Sequence, residues 1–234
     1  MAANTTMSMF YKVEAQDMAN SGWDYTSTSS YITISFWLKV STAQTFYLLL
    51  FTTDGTAKSI VKAVTPTNTN WNKFTFNIPG AAGIQFDNNA DVGLSIGLVV
   101  TYGTDKTGSG DNLDAWGNYN SSERVADMAS TWLTAGASTY EFTGLQLEVG
   151  AHATPFEHRS YGDELARCQR YYQVLLPLNS NDDAICNCNA FSASQTLGVV
   201  HFPTSMRAAP SGDIVTGSSY WKLYSFATLS LIHI

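Results

Sequence analysis

Charge is scarce in this chain: 13% of its 234 residues are charged, against 44% hydrophobic and 13% aromatic. Solubility therefore has to come from Ser, Thr, Asn and Gly, the balance of a folded β-rich protein and not of a disordered tail. Positive charge is scarcer still, with 12 Lys and Arg against 19 Asp and Glu, a net charge of -7 and a pI near 4.9. There is no Lys/Arg cluster, which argues against binding a phosphate backbone through counterion release. Long apolar runs are missing too: none approaches about 18 residues, and MAANTTMSMF lacks the charged and apolar regions of a signal peptide. A product made in the cytoplasm without a signal peptide is the expectation. Cysteines number three, an odd count that is not a disulfide framework. Cys186 and Cys188 on a strand would share one face roughly 6 to 7 Å apart, at the edge of bridging range. A metal site on this pair needs further ligands, and only Cys168 and His201 are near in sequence, so reduced, inert thiols are expected.

What the chain does have is a period of two. From Tyr31 to Val40, Ile32, Ile34, Phe36, Leu38 and Val40 point one way, and Thr33, Ser35, Trp37 and Lys39 the other. Phe46 to Thr52 is apolar on both faces and reads as a central strand. Trp71 to Ile78 alternates again with Phe74, Phe76 and Ile78 inward, and Val92, Leu94, Ile96, Leu98 and Val100 form a further inward set. A last strand should place Thr143, Leu145, Leu147 and Val149 on one face. Short strands at this spacing predict a sandwich or jelly roll.

Between Tyr102 and Trp132 the pattern breaks down. GTDKTGSGDN reads as a flexible loop, and a loop of this length inside a compact domain is usually functional or disordered. Ser160 and Asp163 fit a capping box, and Tyr161, Leu165, Cys168 and Tyr172 fall on one helical stripe that has to be buried by something. After Gln173 the strand pattern resumes in VLLPL, AFSASQTLGVVHFP, MRAAP and YWKLYSFATL. About sixty residues are marginal as a domain alone.

The stretch GLQLEVG followed by ATPFEHRSYGDELARCQRYYQ resembles the junction in bacteriophage tail fibre and receptor-binding proteins. There it closes a jelly-roll module similar to carbohydrate-binding modules and leads into a tip domain. VVHFPTSMRAAP resembles a tip-domain strand of the same proteins. The resemblance implies an all-β fold: a jelly-roll β-sandwich over 1–156, a loop and linker helix over 157–173, and a small, incomplete C-terminal β domain over 174–234. The closing LSLIHI looks like translated adapter sequence, so residues 229–234 are expected to be non-native. The resemblance further implies a virion tail protein that attaches to a bacterial surface glycan or receptor as a homotrimer, alongside other tail proteins. It also leaves room for a structural Ca²⁺, for which Glu14 and Asp17 with Asp111 or Asp114 are the acids at hand, although no EF-hand spacing is present. No other cofactor is expected.

Glycan binding needs flat aromatic faces for sugar rings and amides or carboxylates for hydroxyls. Trp116 and Tyr119 in the long loop, with Asp114, Asn118 and Asn120 beside them, and Trp37 and Tyr102 at the sheet face or its margin, are the expected binding residues. The bland alternative is that each aromatic is a core or rim residue. Paired carboxylates for glycan hydrolysis could be sought in Asp87/Asp91, Asp111/Asp114 or Asp182/Asp183, all in turn-forming sequence. There is no GxSxG elbow, HExxH or phosphate-cradling glycine loop, and His152 and His158 flank Pro155 as junction residues. A non-enzymatic attachment module is the expectation, a structural spacer the alternative, and a depolymerase the least favoured reading.

Overall fold

The computed structural model describes residues 2–110, 112–175, 185–192, 195–211, 222–223 and 232–233. The chain divides into two compact units, Met1–Glu157 and His158–Ile234. The first holds β1 (Thr6–Glu14), α1 (Ala15–Ala19), β2 (Tyr31–Val40), β3 (Phe46–Thr52), β4 (Lys58–Val64), β5 (Asn72–Pro79) and β6 (Val92–Tyr102). It continues with β7 (Thr107–Gly108), β8 (Gly117–Asn118), β9 (Val125–Ala126), α2 (Thr131–Thr134) and β10 (Tyr140–Val149). The second unit holds α3 (Tyr161–Gln169), β11 (Cys188–Ser192), β12 (Gln195–Gly198), β13 (Lys222–Leu223) and β14 (Ile232–His233).

A five-stranded sheet in the order β1-β6-β3-β4-β8 faces a three-stranded sheet in the order β10-β2-β5. The chain passes repeatedly from one sheet to the other, as in a jelly roll, and all the pairings within these two sheets are antiparallel. Alternation decides which side chains meet between them. Ile32, Ile34, Phe36, Leu38 and Val40 of β2 are buried against Leu48 and Leu50 of β3, Ile60 of β4, and Leu94, Ile96 and Leu98 of β6. Burying one such side chain contributes about 1.5–3 kcal/mol, so this layer dominates the stability of the unit.

The apolar run FYLLLFT has a second partner. Tyr47 and Leu49 point away from the sandwich, and with Val61, Val99 and Tyr102 they pack against Val125, Ala126 and Met128. The segment after β6 thus folds back as a third layer over the outer face of the five-stranded sheet. The expectation of a flexible loop is corrected here. β7 pairs in parallel with β9, β8 adds to β4, and the Asn112 carbonyl and the Asp114 N–H close on the backbone of Val61 at 2.9 Å each. Burial of a two-sided apolar strand demands such a cover, and only the folded chain supplies it.

β10 is the other correction. Its pairing with β2 slips between Thr143 and Gln146, at Gly144, whose φ is 62°. A bulge of this kind moves the inward face by one residue. Tyr140 packs inward before it, and Leu145 and Leu147 after it, while Thr143 and Val149 are exposed.

Beyond β10 the chain turns back and is clasped to the strand it has just left. Gln146 Nε2 donates to Thr154 Oγ1 at 3.2 Å while its Oε1 accepts the Glu157 N–H at 2.8 Å, and Glu148 accepts the Thr154 N–H at 3.1 Å. Within GLQLEVGAHATPFE, Gly144 serves the bulge, and Gln146, Glu148 and Thr154 serve the clasp.

In the second unit the Ser160 Oγ accepts the Asp163 N–H at 3.2 Å and donates to Asp163 Oδ2 at 2.6 Å, forming the expected cap of α3. No residue of that helix is buried, and Tyr161, Leu165 and Tyr172 all stand exposed, Tyr161 at 81%. β11 and β12 pair as a hairpin, as do β13 and β14. The extended run expected through VVHFP and MRAAP stops at Gly198, and bends follow. The VLLPL run falls largely outside the described residues.

Candidate functional site

The expected binding residues separate onto different sides of the sandwich. Tyr102 is 1% exposed, its hydroxyl 3.0 Å from Ser8 Oγ, so it is a core residue of the outer layer and offers no ring face to a sugar. Trp116 is half-buried against the main core, and its Nε1 donates to the Pro79 carbonyl at 2.7 Å, which ties the loop to the end of β5. Asp114 has a φ of 63° and pairs with Lys62 at 2.9 Å. These three are structural ties.

Asn118, Tyr119 and Asn120 do converge. With Asn112, Ser121 and Glu123 they line an open cleft of about 500 Å³. Several of its groups are already engaged with residues beside the cleft: Asn118 Oδ1 accepts Lys58 Nζ at 2.8 Å, Asn120 Oδ1 accepts the Ser122 N–H at 3.0 Å, and Glu123 accepts the Ser109 hydroxyl at 3.0 Å. The Tyr119 ring stacks on Phe51 at 4.9 Å, and Arg124 lies 6.0 Å from its centre. Burial pushes the Tyr119 phenol up, with Arg124 opposing in part, so it stays a neutral donor at neutral pH.

Trp37 stands on the outer face of the three-stranded sheet. It is 42% exposed and lies between Lys73 of β5 and Thr143 of β10. One step along that face, Lys39 bonds Glu141 at 3.0 Å and holds its ammonium 5.9 Å from the centre of Trp71, itself 43% exposed. On the other side, Trp37 and the exposed Phe156 both approach Gly144: a Cβ there would lie 3.5 Å from one ring and 3.8 Å from the other. The sequence reading singled out Trp37 but missed Trp71 and Phe156 as its neighbours. The signal for Trp71 lay in the strand it precedes, because inward Phe74, Phe76 and Ile78 put odd-numbered residues outward.

Several of the acids considered for cation or acid–base chemistry have other partners. Glu14 accepts Gln16 Nε2 at 2.6 Å, and Asp87 accepts Gln85 Nε2 at 3.0 Å while its own N–H bonds Asp54. Among the described residues no three His, Cys, Asp or Glu side chains cluster as a metal site. Asp111, Asp182 and Asp183 lie outside the described residues.

The class these observations define is an all-β sandwich protein with a short helix. No family model, no curated protein and no solved structure matches the chain.

Proposed function

We propose that this chain is a non-catalytic attachment segment of a phage tail fibre that binds a bacterial surface glycan. The observation carrying the reading is the pair of solvent-open indoles, Trp37 on the outer face of β2 and Trp71 immediately before β5, with Lys39, Lys73, Glu141 and Thr143 around them. Indole faces stack on the C–H faces of sugar rings, and the flanking hydroxyl, ammonium and carboxylate groups bond sugar hydroxyls. Strands hold Trp37, Lys39, Lys73, Glu141 and Thr143 more firmly than loops would. Single contacts of this kind are weak, and several copies on one fibre make them effective together. The exposed stripe of α3 supports an assembled fibre, with trimerisation as its simplest form.

The cleft of Asn118, Tyr119 and Asn120 is the second reading, supported by its concave shape. A glycan array or host-cell binding assay separates the two. On the first reading, Trp37→Ala and Trp71→Ala each weaken binding several-fold, about the worth of one aromatic contact, and Asn120→Ala leaves it unchanged. Loss in Asn120→Ala alone moves the site to the cleft. Absence of binding by the whole chain favours a spacer, with recognition carried elsewhere in the fibre. Shortening of a host polysaccharide on incubation would displace both in favour of a depolymerase.

A further inference from the structure

We propose that Cys186 and Cys188 form a two-thiolate chelating site for a soft, thiophilic cation of the Zn²⁺, Cd²⁺ or Cu⁺ class. The two side chains lie on the same side of the chain where it enters β11, and their sulfurs are 3.5 Å apart. A disulfide requires about 2.05 Å. Two sulfurs bound about 2.3 Å from one tetrahedral ion are separated by about 3.8 Å, so the observed spacing of 3.5 Å is far nearer the bite of a chelate than a covalent bridge.

The cradle for this bite comes from the facing strand. Gly198 pairs with Cys188 in the β11–β12 hairpin. A Cβ at Gly198 would fall 2.5 Å from Cys186 Sγ and 2.7 Å from Cys188 Sγ, closer than real contacts allow. Both sulfurs thus rest over bare backbone, and any other residue at this position would push them aside. Cys188 is exposed and Cys186 half-buried, which leaves an approach from solvent. Among the described residues no third His, Cys, Asp or Glu joins them. Two soft donors with open positions select thiophilic ions over hard ones such as Ca²⁺ or Mg²⁺, with water or an external ligand completing the shell.

The test is a titration of the reduced, full-length chain with Cd²⁺ under anaerobic conditions, read by the ultraviolet sulfur-to-cadmium charge-transfer band. One Cd²⁺ per chain is expected, with two thiols protected from a thiol reagent. Cys186→Ser and Cys188→Ser should each weaken binding about tenfold or more through loss of the chelate, and Cys168→Ser should leave it unchanged. Gly198→Ala keeps every thiol yet should also weaken binding, because it displaces both sulfurs. The inference is overturned by a missing band in the wild type, by full binding in Gly198→Ala, or by loss of the band in Cys168→Ser. Far-ultraviolet dichroism of each variant excludes unfolding as the cause of a loss.

Discussion

Glu148, near the end of β10, accepts the backbone N–H of Thr154 at 3.1 Å and also bonds its hydroxyl. That contact holds the returning junction against the strand that precedes it. Burial would raise the Glu148 carboxyl, but the bonds from Thr154 and Gln146, with Lys73 nearby, outweigh it and hold the group below its ordinary value of 4.5. A lowered folded-state pKa means the clasp contributes fully above that value and is lost as pH falls through the lowered one. Protection factors over residues 150–157, taken against the intrinsic exchange rate at each pH, should therefore fall on acidification below about pH 4.5. Glu148→Gln should exchange fast at neutral pH and lose the dependence; a mutant that behaved like the wild type would remove Glu148 from the clasp.

Gly93 and Gly97 on β6 make a matched pair. A methyl at Gly93 would meet the Ala15 Cα at 2.6 Å, whereas one at Gly97 would meet the Phe10 ring at 2.3 Å. Backbone cannot yield cheaply, but a partly exposed ring can swing outward. Gly93→Ala should cost about 1–3 kcal/mol, and Gly97→Ala clearly less, as read by denaturant unfolding. Equal costs would count against the difference in neighbours.

The Tyr140 hydroxyl is buried and finds no hydrogen-bond partner among the described residues, while its ring packs edge-on against Phe46 at 5.1 Å and Trp132 at 6.4 Å. Burial raises its pKa far above the usual tyrosine range. Tyr140→Phe keeps the ring contacts and removes the unsatisfied group, so stability should hold or rise by up to about 1–3 kcal/mol. A clear loss in thermal midpoint would show that the hydroxyl is bonded in solution.

Trp116 ties the outer layer to β5 through its bond to the Pro79 carbonyl. Trp116→Phe should cost about 1 kcal/mol and speed proteolysis of the 103–132 segment. Glycan binding per folded molecule should not change. A binding defect in a fully folded variant would return Trp116 to the ligand site.

Much of the sandwich was legible in advance because a strand half-exposed to water must alternate. The periods of β2, β5 and β6 gave their inward faces, and the two-sided apolar run of β3 marked it as central. The bulge at Gly144 was not legible: it is set by how β10 meets β2, and a one-residue slip leaves no composition signal. Nor was the fate of 103–132. Its Gly- and Asn-rich sequence has the look of open loop, yet Val125 and Met128 cover Tyr47 and Leu49.

The candidate site divides in the same way. Aromatic and amide residues can be recognised in the sequence as able to bind sugar, but whether a ring faces water depends on what packs over it. Packing took Tyr102 and Trp116 into the molecule and left Trp37 and Trp71 together on an open face. By itself the sequence determined an all-β unit, its alternating core faces and the cap of α3, because each rests on local periodicity or a short-range bond. Only the tertiary structure decided the third layer, the slip in β10 and which indoles meet solvent, because each depends on contacts between residues far apart in the chain.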